Sequence, residues 1–365
     1  MNPVRYAVVG LGHIAQVAVL PAFAHAKNSK LTALVSGDAK KLEEVSAKYG
    51  VENRFAYEDY DDMLASGIVD AVYIALPNSL HFDYARRALE RGVHVLCEKP
   101  LTADAAQAEA LARAAAKSKA RLMTAYRLHF ERANLEAVEL VKSGVIGEPR
   151  FFTSSFSMQL TPGNIRADRE LGGGPLWDLG IYCINAARYF FRAEPEEASA
   201  FSERGRDARF KEVDEMTTAM LRFPGGRLAQ FTCSFGAADT AWCEVVGTKG
   251  EVCLTNAYEY TEEIELESTV DGRSQTRTFA KRDQFAPELV HFSECVQAGK
   301  NPEPDAAEGA ADVRIIEALL RSARTGRSVD LRLPARGRRP SLRQQIRRRP
   351  VRKPEVVKAR AAHRG

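Results

Sequence analysis

Val4-Arg-Tyr-Ala-Val-Val-Gly-Leu-Gly-His-Ile-Ala15 is the stretch that decides the fold. Residues 4–9 form a continuous β-rich run, the chain turns at Gly10, and a helix follows that must break near Pro21. Gly-x-Gly-x-x-Ala between a strand and a helix is one of two accepted forms of the dinucleotide fingerprint. Gly10 permits the tight turn, Gly12 lets a pyrophosphate approach the backbone, and Ala15 keeps the helix close to the sheet. Gly10, Gly12, His13 and Ile14 are the candidate cofactor-binding residues of this turn. Working outward, strands are predicted at about 31–35, 69–76, 94–96 and 122–125, with helices at about 40–49, 80–91 and 103–118. This alternation predicts an α/β fold whose first domain, residues 1–127, is a parallel sheet with helices on both faces.

The second strand ends Leu34-Val-Ser-Gly-Asp-Ala-Lys-Lys41. A site for NAD carries an acid there to bond the ribose hydroxyls. Ser36 stands at that position, and a hydroxyl followed by lysines suits the 2′-phosphate of NADP, which a carboxylate would repel. Ser36 and Lys41 are therefore candidate NADP ligands, with NAD the weaker alternative. Lys40 and Lys41 also fit ordinary first-turn surface lysines, and Asp38 is long enough to reach a ribose.

Two further turns fall at the carboxyl ends of predicted parallel strands, where such sheets bind ligands: Leu76-Pro-Asn-Ser-Leu-His81 and Cys97-Glu-Lys-Pro100. A cis peptide before Pro100 would aim the Lys99 side chain into the binding cleft. Later comes Gly172-Gly-Gly-Pro-Leu-Trp-Asp-Leu-Gly-Ile-Tyr182. Pro175 suits a first helical turn, and Asp178 and Tyr182 then lie one turn apart on one face. A carboxylate and a phenol held that way can move a proton on a bound alcohol. The same spacing also fits a solvent-facing Asp and a half-buried Tyr on an amphipathic helix.

Glu98-Lys-Pro100, taken with Gly10-x-Gly-x-x-Ala15, Pro77-Asn-x-x-His81, Tyr126-Arg127 and Gly172-Gly-Gly-x-x-x-Asp-x-Gly, resembles the glucose–fructose oxidoreductase/inositol dehydrogenase family. The resemblance covers residues 4 to about 333. Many members carry Asp-x-x-x-His in the catalytic helix; this chain has Asp178-x-x-x-Tyr182, which is similar to the glucose–fructose and aldose–aldose oxidoreductase branch. Ser36-Gly37 with Lys41, and Arg166-x-x-Arg169-Glu-Leu, match that branch too. The resemblance implies an NADP-dependent sugar oxidoreductase that moves hydride between C1 of a cyclic aldose and nicotinamide, giving an aldonolactone, with a second sugar as the electron acceptor in some members. It implies Lys99, Asp178 and Tyr182 as catalytic residues. It adds Leu76, Asn78, His81, Glu98, Lys99, Arg127 and Arg166 as cofactor contacts, and Lys99, Tyr126, Asp178, Tyr182 and Tyr260 as substrate contacts. A phenol titrates near pH ~10, so Tyr182 needs a neighbouring cation, and Lys99 is the candidate. The alternatives are a dehydrogenase acting on another sugar or polyol position with NAD or NADP, and a non-catalytic cofactor-sensing subunit. The glucose–fructose enzyme is exported and buries its cofactor under an N-terminal arm; neither feature is expected here.

Residues 128–333 are predicted as a substrate-binding and oligomerisation domain. After a helix near 131–143, alternating runs at about 150–157, 197–202, 217–223, 228–233, 242–246, 251–255, 263–267 and 275–279 read as strands. Turns such as Phe223-Pro-Gly-Gly226 and Asp271-Gly272 make them hairpins of a largely antiparallel sheet. The resemblance implies that one face of this open sheet builds a homodimer or homotetramer, and that a helix near 306–325 returns to brace the first domain. Residues 335–365 hold twelve Lys/Arg and one acid, a net of +11, which leaves 4 − 11 = −7 for the body. Such a tail, residues 334–365, is expected to be disordered; with no aromatic residue for base stacking, it gives no reason to require nucleic acid. A composition 45% apolar and 27% charged fits a soluble globular protein. No membrane-spanning run and no export signal are visible, and the six cysteines lack metal spacing, so a reduced cytoplasmic protein without metal is expected.

Overall fold

The computed structural model describes residues 2–336, 339–352 and 354–363. The chain divides into two compact units: Met1–Arg127 with Arg282–Val313 and Arg348–Ala361, and Leu128–Lys281 with Arg314–Arg347 and Ala362–Gly365. In the first unit β1 (Val4–Val9), β2 (Ser29–Val35), β3 (Asn53–Phe55), β4 (Ala71–Ile74), β5 (His94–Glu98) and β6 (Leu122–Ala125) form a sheet. All pairings are parallel, in the order β3-β2-β1-β4-β5-β6. Tyr6, Ala7, Val8 and Val9 have no exposed surface, as do Val72, Tyr73 and Ile74. Strands covered on both faces carry such unbroken apolar runs. The order reverses between β1 and β4, which puts the ligand-binding point of such sheets beside the Gly10 turn. β3 has three residues, none fully buried, and left too short a signal to anticipate.

The first unit takes in a segment the sequence assigns to the second domain. Residues 282–313 return to it: the Ala286–Ala298 helix packs on β1 and β2, and Ser293 Oγ lies 2.7 Å from the Tyr6 hydroxyl and 2.8 Å from Ser29 Oγ. A domain closed by such distant side-chain contacts shows no break in hydrophobic period, so the expected range 128–333 missed it.

In the second unit the strands are β7 (Pro149–Ser157), β8 (Glu197–Glu203), β9 (Met216–Phe223), β10 (Arg227–Ser234), β11 (Thr240–Gly247), β12 (Gly250–Thr255), β13 (Ile264–Val270), β14 (Arg273–Phe279) and β15 (Val329–Asp330). Their order is β14-β13-β12-β11-β7-β10-β9-β8-β15, antiparallel except where β10 runs parallel to β7. The Arg132–Lys142 and Ile181–Phe191 helices pack on one face, against β12 and β13 and against β7. The strands alternate accordingly: Thr217, Ala219, Leu221 and Phe223 of β9 are buried, while Met216, Thr218, Met220 and Arg222 are exposed. Phe151, Phe201 and Leu228 add large apolar groups to the exposed set, with Phe201 78% exposed.

The basic segment expected to be disordered is instead held by polar contacts. Within the second unit Arg339 Nη2 lies 2.6 Å from Glu194 Oε1, the carboxylate that the fully buried Arg188 also binds at 2.6 Å. Burial acts to raise the Glu194 carboxyl, but the two guanidiniums hold it below the ordinary range. Gln344 Nε2 lies 2.8 Å from His129 Nε2. Within the first unit Arg348 Nε donates to the His25 carbonyl at 2.9 Å. A composition rule counts missing apolar area and cannot see a buried carboxylate that recruits a distant arginine. Gly337, Arg338, Lys353, Arg364 and Gly365 of that stretch lie outside the described residues.

Among the described residues no helix is long and apolar enough to cross a membrane, and no group of three or more His, Cys, Asp or Glu is placed to hold a metal ion.

Candidate active site

The glycine turn is built by close backbone approach. Gly10 has φ +92°, its N–H donates to Val35 O at 3.0 Å, and a Cβ there would stand 2.6 Å from Ala75 O. Only glycine fits both demands. A Cβ at Gly12 would meet no atom within 4 Å, so the space over the turn is open to a ligand. His13 and Ile14 follow at the head of the helix, which begins with a wide π turn at Ala15–Val19. At the end of β2 the buried Ser36 accepts from Asp38 N at 3.3 Å, and Asp38 caps the next helix by accepting from Lys41 N at 2.9 Å. An open turn at a helix start beside the Ser36 hydroxyl fits a dinucleotide.

The two strand-end turns are tied together by His81. Its ring is fully buried, with Nδ1 2.8 Å from Pro100 O and Nε2 2.9 Å from Leu76 O. Burial lowers the pKa of the imidazole, although both carbonyls favour its protonated form. The His81 ring lies between the two turns and braces them. Leu76 is buried, and Asn78 opens the helical turn Asn78–Leu80. The Lys99–Pro100 peptide is cis. Glu98 accepts from the Tyr73 hydroxyl at 2.8 Å and from Lys99 N at 3.2 Å. Burial raises its pKa, against the opposing pull of Lys99, Tyr73 and Arg127.

Behind this turn lie residues that sequence reasoning did not find. Glu288 is fully buried, with Tyr73 as a hydrogen-bonding neighbour. Burial, then the charge of Glu98, push its pKa well above the usual carboxylate range. Arg127 donates to Gln284, both side chains being buried, and so belongs to the same interior cluster. The Tyr126 hydroxyl donates to Asp312 Oδ2 at 2.6 Å, with both residues buried. That bond fixes the Tyr126 side chain, a residue expected to contact substrate. Gln284, Glu288 and Asp312 lie more than 150 residues from their partners, beyond any local pattern.

In the second unit the glycines shape a loop that folds back on residues 166–168. Gly173 N donates to Asp168 O at 2.8 Å, Gly174 N to Arg166 O at 2.9 Å, and a Cβ on Gly173 would stand 2.3 Å from Arg166 O. The loop brings Arg166 Nε within 2.6 Å of Asp178 Oδ2. Burial works to lower the Arg166 pKa, but Asp178, aided by Tyr260 and Tyr182, raises it above the ordinary value. The structure thus gives Arg166, expected to touch the cofactor, a carboxylate partner. Asp178 lies on a π turn, Leu176–Gly180, and Tyr182 on the Ile181–Phe191 α-helix that continues it. The expected regular α-helical turn between them is therefore widened, a feature common at functional sites. Tyr182 packs edge-on to Phe156 with centroids 5.5 Å apart and lies 5.9 Å from the Tyr258 ring. Tyr258 is fully buried with its hydroxyl 2.7 Å from Ser154 Oγ, so it supports the site from within, whereas Tyr260 is partly exposed.

Two family models match the chain. One described as an oxidoreductase family with an NAD-binding Rossmann fold matches residues 4–126, and the GFO/IDH/MocA C-terminal domain matches residues 134–253. The chain is 34% identical over 330 residues to a D-xylose 1-dehydrogenase (NADP(+)) of Haloferax volcanii, covering 89% of this chain and 99% of that one. The crystal structure of an aldose–aldose oxidoreductase from Caulobacter crescentus with glycerol superposes with a TM-score of 0.86 at 36% identity, covering 90% of this chain and 100% of that one. A 3-ketoreductase from Actinomadura kijaniata in complex with NADP and TDP-benzene gives a TM-score of 0.80 at 30% identity, covering 88% of this chain and 98% of that one.

Proposed function

Because the chain belongs to the GFO/IDH/MocA oxidoreductase family, we propose that it is an NADP-dependent oxidoreductase acting on the C1 hydroxyl of a cyclic aldose, giving an aldonolactone. When bound, NADP supplies the nicotinamide carbon that accepts hydride. Gly10, Gly12, His13 and Ile14 hold the pyrophosphate, Ser36 and Lys41 the 2′-phosphate, and Leu76 and Asn78 line the approach to the nicotinamide. Tyr182 takes the C1 hydroxyl proton, and Lys99 is the other catalytic cation-bearing residue of the set. Asp178, held by Arg166, orients the sugar hydroxyls, and Tyr260 contributes to the sugar contact. The single observation that carries this reading is the 2.6 Å Arg166–Asp178 pair on the turn leading into the helix of Tyr182. A carboxylate held in place one turn from a phenol supports the positioning of a sugar hydroxyl.

The exposed face carrying Phe151, Phe201, Met216, Met220 and Leu228 supports a homodimer or homotetramer formed through the nine-stranded sheet. Six unpaired cysteines support a reducing, cytoplasmic setting.

The test uses Tyr182→Phe and Lys99→Ala. Single-turnover reduction of NADP by glucose or xylose should fall by ~10²–10⁴ with cofactor binding kept. Near-native turnover in both variants rejects the assignment. Denaturing the purified protein and identifying any released nucleotide separates two modes. Stoichiometric NADP, with activity indifferent to added cofactor, favours a sugar-to-sugar cycle. Empty protein that needs added NADP favours a simple dehydrogenase. The 3-ketoreductase relative supports a second reading, reduction of a keto-sugar, and oxidation of NADPH by keto-sugars but not by lactones would select it.

A further inference from the structure

Residues 355–358 of the basic segment contact the first unit at three points, two of them beside the glycine turn and Asp38. Lys48 Nζ, near the end of the Ala39–Tyr49 helix, donates to Glu355 O at 2.6 Å. The buried Gln16 side chain, on the helix that follows the glycine turn, pairs with Val357 twice. It accepts from Val357 N at 2.7 Å and donates to Val357 O at 2.9 Å, and it also donates to Leu11 O at 2.9 Å. Lys358 Nζ lies 3.1 Å from both oxygens of Asp38. Lys358 has φ +45°, a left-handed conformation that costs a non-glycine residue about 1 kcal/mol. The backbone bonds at Val357 and the carboxylate at Asp38 hold it there.

These contacts bear on a problem the site presents. Asp38 follows Ser36 by two residues, and its carboxylate would repel a 2′-phosphate bound at Ser36 and Lys41. Lys358 neutralises that carboxylate and adds a donor of its own on the same edge.

Resting on the NADP reading above, we propose that this C-terminal arm is part of the dinucleotide site, and that Lys358, by pairing with Asp38, makes the adenosine end accept NADP over NAD. Arm and glycine turn share one anchor, Gln16, so the arm straps the edge where the adenosine lies. The chemistry recognised is a phosphate monoester on a ribose, read by lysine and hydroxyl donors.

The experiment titrates the full chain with NADPH and NADH, followed by nicotinamide fluorescence, in wild type, Lys358→Glu, Lys358→Arg and Lys358→Glu/Asp38→Asn. Asparagine still caps the Ala39–Tyr49 helix. Lys358→Glu should weaken NADPH about tenfold or more, the effect of losing one charge-assisted phosphate contact, and leave NADH within about twofold. Lys358→Arg should stay near wild type, and the double variant should regain part of the loss. A Lys358→Glu variant whose NADPH:NADH affinity ratio is unchanged, or whose NADPH binding tightens, overturns the proposal and leaves the NADP reading intact. A wild-type chain that binds NADH better than NADPH, or neither, overturns both.

Discussion

The two units build their candidate site residues differently. In the parallel sheet the working geometry is backbone: the Gly10 turn, and the carbonyls of Leu76 and Pro100 that grip His81 from either side. In the second unit it is side chain: Asp178 held by Arg166, and Tyr182 shelved against Phe156 and Tyr258. Backbone geometry is all or nothing at a few glycines and tolerant elsewhere. Side-chain geometry is assembled from pairs and weakens one contact at a time.

Gly10→Ala puts the first half of that contrast at greatest risk. Its Cβ would meet Ala75 O at 2.6 Å and φ is +92°. NADPH binding should fall at least ~100-fold, with a loss of about 2–4 kcal/mol in chemical denaturation from strain and overpacking. A variant that binds like wild type would break the comparison. In the second unit, Arg166→Ala should lower turnover by about 10–100-fold while NADPH affinity stays within about twofold, and Arg166→Lys should recover part of it. Loss of NADPH affinity instead would return Arg166 to the cofactor. The exposed face offers an intermediate effect. Phe201→Glu with Met220→Glu should leave secondary structure intact by circular dichroism and shift sedimentation toward monomer, since both residues are exposed.

The smallest effect concerns Glu288, whose pKa is raised by burial and by Glu98. The folded state holds this proton more tightly than the unfolded chain. The carboxyl's contribution is therefore fully present below the unfolded value near pH 4.5 and is lost as pH rises through the raised folded value. Glu288→Gln needs no proton to stay neutral. It should raise Tm above wild type at pH 8 by about 2–4 °C, the shift that ~1 kcal/mol gives a domain of this size, and the gain should vanish toward pH 5. A gain equal at both pH values would assign it to packing.

Much of this was legible beforehand, for reasons that follow the same contrast. The Gly10 turn is encoded by residues next to one another, and β1 and β6 run as expected because buried parallel strands are mostly apolar, here broken only by Arg5 and Thr124. The strands from β7 to β13 showed mainly through their alternation of apolar and polar residues, and β14, polar throughout but for Phe279, through the Asp271-Gly272 turn before it. Local pattern could not show Tyr126 turned to Asp312, Arg127 to Gln284, or Arg339 to Glu194. Each depends on a partner between 145 and 186 residues away, and no periodicity reports such a distance. The π turn at Leu176–Gly180 has the apolar spacing of a regular α-helix to within one residue per turn, so the sequence predicts the latter.

The first unit is discontinuous: Arg127 precedes, and Arg282–Val313 follows, the long stretch that builds most of the second. Ser293 meets Tyr6 and Ser29, and Asp312 meets Tyr126, so the interior of the parallel sheet needs residues translated long after its strands. At roughly 5–20 residues per second, the strands wait about 10–40 s on the ribosome for that segment. During that interval the apolar run of β1 lacks the helix that covers it. A cell making this protein must shelter its most conventional part, and the unit interrupting it, all of whose sheet strands but β15 have by then been translated, is free to fold first.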